Sequence, residues 1–131
     1  TLGLWSTATD YARFAQMLLN GGELDGVRIL GHKTVELMSR NHLPPGIAQG
    51  GQPGTMEPGT GYGLGVSVTL DPAAAGNLGS AGAFGWSGAA TTWFTIDPAE
   101  KLVAVLMSQQ VPYDDRLLAE LQTLVYQAIA R

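Results

Sequence analysis

Residues 82–98 read GAFGWSGAATTWFTIDP. Ser87 stands there between Trp86 and Gly88, ahead of a strand-like run, TTWFTID, over residues 91–97. Is it a nucleophile, or one wall of a site whose nucleophile lies elsewhere? The neighbouring sequence gives the frame. KLVAVLMSQ, residues 101–109, is a second strand, and the two flank Pro98-Ala99-Glu100 as a hairpin. Leu102, Val103, Val105 and Leu106 are apolar on both faces, the pattern of a strand in the middle of its sheet. Upstream, GYGLGVSVTL over residues 61–70 places Leu64, Val66, Val68 and Leu70 at period two and predicts one further strand.

Helices bracket these strands. In STATDYARFAQMLLNGG, residues 6–22, Tyr11, Phe14, Met17 and Leu18 recur at three- and four-residue spacing and form an apolar stripe. Ser6 serves as the N-cap, Asp10 complements the dipole, and Asn20-Gly21-Gly22 ends the helix. Asp25-Gly26 marks a tight hairpin turn. HKTVELMSRNHL, residues 32–43, gives a shorter helix with Val35, Leu37 and Met38 inward, stopped by Pro44-Pro45. Residues 44–61 are rich in glycine and proline and lack periodicity, so they form a long loop that offers a substrate rim or a linker. Residues 114–131 predict a last helix, capped by Asp114 or Asp115, with Leu117, Leu121, Leu124, Val125 and Ala128 as its stripe. The order is two helices, then antiparallel strands, then a helix laid on the sheet: an α+β fold.

Composition narrows the function. The 131 residues are 45% apolar and 14% charged, which describes one globular domain or part of one. A net charge of −4, with seven scattered basic residues, argues against a nucleic-acid partner. No apolar run reaches the length of a membrane span. The absence of cysteine removes disulfides and thiolate metal sites, and the two histidines, His32 and His42, leave a metal site to carboxylates. No cofactor is expected.

Ser87 lacks the partners of a nucleophile. The stretch 85–89, GWSGA, is not the G-x-S-x-G elbow, and no histidine follows His42 in the chain. An order of His42, Asp71, Ser87 would need two barrels, and the chain has strands for about half of one; His42 beside a helix end is more simply a dipole partner. Lysine activation fails too. The residues three places after Ser6, Ser39, Ser67, Ser80, Ser87 and Ser108 are Thr9, His42, Leu70, Ala83, Ala90 and Val111, so no S-x-x-K occurs.

Taken together, STATDYARFAQMLLNGG, GYGLGV and GWSGAATTWFTIDP with LVAVLMSQ resemble the C-terminal part of the serine β-lactamase-like hydrolases. They are most similar to the class C-like branch, which includes family VIII esterases, D-amino-acid peptidases and penicillin-binding-protein homologues. The resemblance covers essentially the whole chain. It implies that residues 1–131 form a single, partial β-lactamase-like domain without the nucleophile-bearing N-terminal part. In such enzymes an S-x-x-K helix and a tyrosine-bearing loop supply two walls of the site, and a Lys-Thr-Gly-type strand supplies the third. Trp86-Ser87-Gly88 looks like that third motif, so Ser87 lines the site and does not attack. The backbone N–H of Ala89 is then one oxyanion-hole donor, a contact worth roughly 3 kcal/mol of barrier. Trp86 in place of the lysine removes a positive charge, which favours uncharged esters or amides.

Beside these, Tyr62 is a candidate for the site mouth, Tyr11 is structural, and Asp97-Pro98 is a hairpin turn without a catalytic role. The resemblance further implies a sheet shared with strands outside this chain, so the expected partners are a small ester or amide substrate and either the N-terminal segment or a second copy of the chain. The rival reading is a non-catalytic module that uses the same strands for binding or self-association.

Overall fold

The computed structural model describes residues 4–44, 47 and 57–130. Helix α1 (Ala8–Leu19) is followed by a small hairpin, β1 (Glu23–Leu24) and β2 (Val27–Arg28), and by α2 (His32–Met38). Then come β3 (Thr60–Tyr62), β4 (Ser67–Thr69), the short α3 (Pro72–Ala75), β5 (Phe84–Ser87), β6 (Trp93–Asp97), β7 (Leu102–Leu106) and α4 (Asp115–Gln127). Strands β3 to β7 make one antiparallel sheet in sequence order. The α+β reading holds.

The register sorts the side chains. Phe84, Ile96 and Val103 lie in one row, and Trp86, Phe94 and Val105 in the next, on a common face. Against that face packs α1, burying Ala15, Met17 and Leu18 with Val66, Val68, Phe84, Phe94 and Ile96. Tyr11 meets Phe94 edge-on, ring centroids 5.1 Å apart, which confirms its structural place. Phe14 of the predicted stripe is instead 44% exposed, and Ala15 takes the buried position. Helix α4 stands on the opposite face and buries Leu118 and Tyr126, while Leu117 and Leu124 point outward. Its stripe is therefore rotated from the predicted one, because the two anchors of the helix fix its rotation. Asp114 caps the first turn by accepting from the Leu117 N–H, and the Tyr126 hydroxyl donates to Asp97.

Other expectations need correction. The N-cap of α1 is Thr7, whose hydroxyl accepts from the Asp10 N–H at 3.1 Å and donates to the Asp10 carboxylate at 2.8 Å; Ser6 lies one residue too early. Helix α2 stops at Met38, well before Pro44, and Leu37 is exposed. The stretch 61–70 is a hairpin and not one strand: Gly65 sits at φ 87°, the chain reverses, and Tyr62 pairs with Ser67. Leu64 and Leu70 consequently fall outside the buried set. Gly63 seats this turn on α2, since a Cβ there would lie 2.1 Å from the Met38 carbonyl oxygen. The Asp25-Gly26 turn and the 98–100 hairpin form as expected. Strand β7, read as central, is an edge strand. Most of the glycine-rich loop 44–60 lies outside the described residues.

Candidate active site

Strand β5 carries the candidate motif to the end of the sheet. Gly85 permits this, because a Cβ at residue 85 would lie 2.1 Å from the Phe94 carbonyl oxygen of the neighbouring strand. The Ser67 hydroxyl donates to the Gly85 carbonyl at 3.0 Å and fixes the same point from the β4 side. Beyond the last paired residues of β4, Trp86 and Ser87 bond only to β6, through Phe94 and Trp93. Trp86 is 45% exposed, and its ring meets Tyr62 edge-on at 5.2 Å between centroids. Tyr62 is in turn held by its backbone: its N–H donates to Asn41 Oδ1 and its carbonyl accepts from the His42 N–H. The structure thus brings the rim candidate and the strand motif together.

A cleft of about 700 Å³ opens in front of Trp86, Ser87 and Gly88. Its other walls include Trp5, Tyr11 and Met107, and Trp93 borders it at the end of β6. Among its lining residues none is lysine, arginine or histidine, and the only carboxylate is Asp10. Burial pushes the Tyr11 phenol above its ordinary value, which leaves it protonated near neutral pH. His42 is engaged elsewhere, its Nε2 2.8 Å from the Leu37 carbonyl at the end of α2. Ser87 also lines a second cleft, together with Glu57 and Asp115. No lysine or histidine lines either cleft, and the Ser87 hydroxyl makes no hydrogen bond among the described residues. The same residues contain no cluster of three potential metal ligands, and no helix is long and apolar enough to cross a membrane.

After Ser87 the chain turns through residues 88–92. The Gly88 N–H donates to the Thr92 carbonyl at 2.8 Å and the Thr91 N–H to the Gly88 carbonyl at 3.0 Å. Ala89 sits at the exposed crest, and its N–H has no acceptor among the described residues. The crest adjoins Gly88, which lines the cleft, and a free backbone donor can receive an anionic oxygen. Thr91 was not a sequence candidate, although it is wholly buried and links this turn to the segment before α4. Nothing in a Thr-Thr pair announces a left-handed threonine.

Comparison with known proteins agrees with this fold. Simvastatin synthase (LovD) from Aspergillus terreus, in its LovD6 mutant form, superposes with a TM-score of 0.73 at 23% identity, over 93% of this chain and 34% of that one. EstCE1, a hydrolase with promiscuous acyltransferase activity, superposes with a TM-score of 0.75 at 23% identity, over 92% of this chain and 30% of that one. Protein Rv1367c of Mycobacterium tuberculosis is 41% identical over 114 residues, 84% of this chain and 28% of that protein. The chain thus spans less than a third of the curated relative it matches. The Beta-lactamase family model matches residues 1–127, and the chain belongs to that family, with the fold of a serine-hydrolase-type domain.

Proposed function

We propose that this chain supplies one wall of the active site of a serine hydrolase of esterase or β-lactamase type, which works through an acyl-enzyme. Trp86, Ser87 and Gly88 line the pocket, the Ala89 N–H is an oxyanion donor, and Tyr62 braces the rim. The observation that carries this reading is the pairing of two features at the end of β5: an exposed Ala89 N–H without an acceptor among the described residues, and a serine whose hydroxyl is bonded to no base there and has no lysine or histidine in the clefts it lines. A wall needs a donor and does not need an activated serine. The nucleophile and its lysine belong on a helix seated in the cleft, supplied by residues outside these 131.

An uncharged ester or amide suits the cleft, because its lining offers apolar surface and no cation to hold a carboxylate. Strand β7 supports the proposal of a further partner. It is apolar throughout yet stands at the sheet edge, where unpaired backbone groups accept another strand. The partner that fits is the remaining part of the same domain.

The test is made on the hydrolase that carries this chain. Ala89→Pro, which deletes the N–H, lowers kcat on p-nitrophenyl butyrate by about 10²-fold or more. Ser87→Ala changes kcat by less than about tenfold, since it removes a lining hydroxyl and not an attacking group. Loss of all turnover in Ser87→Ala would make Ser87 the nucleophile.

A further inference from the structure

The 88–92 turn contains a residue whose conformation ordinary packing does not favour. Thr91 has φ 58°, in the left-handed region, where a β-branched side chain is strained. It is also fully buried. Something must hold it there, and two hydrogen bonds of its hydroxyl do. Thr91 Oγ1 donates to the Gln110 carbonyl at 3.0 Å and accepts from the Asp114 N–H at 3.1 Å. One hydroxyl thus uses both its donor and an acceptor position on the segment that leads into α4. A second tie runs parallel to it, from the Ser108 hydroxyl to the Ala90 carbonyl at 2.6 Å. Inside the turn, the Gly88 and Thr91 backbones bond across to Thr92 and Gly88.

These ties leave Ala89 as the free crest of a turn clamped on both flanks. A backbone donor stabilises a developing oxyanion only if it is fixed before the charge appears, since a mobile N–H must be ordered during the reaction. We propose that Thr91 is a positioning residue: its hydroxyl locks the 88–92 turn onto the segment preceding α4, and so fixes the Ala89 N–H next to Gly88, at the edge of the cleft. The proposal rests on the reading of Ala89 as an oxyanion donor. It adds that the donor is held through the segment that leads into α4. The stored backbone strain is the mark of that function and not an accident of packing.

Three variants test it: Thr91→Val keeps the shape and loses both hydrogen bonds, Thr91→Ser keeps the hydroxyl without the β-methyl group, and Thr91→Gly relieves the strain but loses the hydroxyl. In the hydrolase that carries the chain, ¹⁵N relaxation gives the order parameter of Ala89. It is expected to fall from about 0.85 to below about 0.6 in Thr91→Val and Thr91→Gly, and to stay high in Thr91→Ser, while the β6 amides are unchanged. In the hydrolase that carries the chain, Thr91→Val lowers kcat about 10- to 30-fold with KM within about twofold, and Thr91→Ser restores kcat to within about threefold. An unchanged Ala89 order parameter in Thr91→Val and Thr91→Gly overturns the proposal. So does a loosened turn with unchanged kcat. In that last case Ala89→Pro separates the two readings: lost kcat there leaves the donor in place and removes only the role of Thr91, whereas unchanged kcat removes the donor itself.

Discussion

At Gly85 the sheet has no room for a side chain, and the obstacle is backbone. A Cβ would lie 2.1 Å from the Phe94 carbonyl oxygen, and neither strand can retreat without breaking the β5–β6 ladder. Gly85→Ala is therefore expected to lower stability by about 2–3 kcal/mol, read as a shift of the urea midpoint at constant slope. Gly88 differs. There the nearest atom is the Thr92 hydroxyl at 2.4 Å, a side-chain tip that can rotate away, so Gly88→Ala is expected to cost about 1 kcal/mol or less. Equal shifts for the two variants would contradict the assignment of the Gly85 contact to backbone. The glycines around Ser87 were legible in the sequence as a motif. Which of them is obligatory was not, because that depends on how closely the neighbouring strand approaches.

Helix α4 is held to the sheet by a carboxylate rather than by a broad apolar stripe. Asp97 is fully buried and accepts from the Ser80, Ala99 and Glu100 N–H groups and from the Tyr126 hydroxyl. Burial pushes its carboxyl upward, but the hydrogen bonds from Ser80, Glu100 and Tyr126 outweigh that and hold it below the ordinary carboxylate range. The Tyr126 phenol is raised by its own burial and by the charge of Asp97. A lowered carboxyl stabilises the fold fully above its unfolded value near 4, and that contribution fades as the pH falls through the folded value. Raised Tyr126 acts in the opposite sense, and its contribution is lost only as the pH climbs above about 10. Asp97→Asn is expected to lower stability at pH 7 by about 1–3 kcal/mol and to flatten the loss between pH 5 and 3, measured as Tm against pH. An unchanged acid limb would show that Asp97 carries no such linkage.

Elements with local signals were legible: α1 from its spacing, the β6–β7 hairpin from its turn, and α4 from its cap at Asp114. Helix α3 was not identified, although Asp71 before Pro72 is a cap signal, with the Asp71 side chain accepting from the Ala73 and Ala74 N–H groups. The stretch 61–70 misled because its period-two apolar pattern persists through a turn made possible by Gly63 and by the positive φ of Gly65. The rotation of α4 was illegible because Asp97, 29 residues away from Tyr126 in sequence, sets it.

Taken whole, the molecule is a five-stranded sheet with α1 on one face, α4 on the other, and β7 open at its edge. The central pattern of β7 and its edge position fit together if further strands pair with it. That explanation also accounts for an apolar cleft with no lysine, arginine or histidine in its lining, next to a turn whose Ala89 N–H has no acceptor among the described residues. The most direct test is hydrolysis of p-nitrophenyl butyrate by the pure 131-residue chain, alone and after addition of the proposed S-x-x-K-bearing part of the domain. No turnover above background for the chain alone, with activity appearing on addition, is the predicted result. Turnover by the chain alone that disappears in Ser87→Ala would contradict it and place the nucleophile on β5.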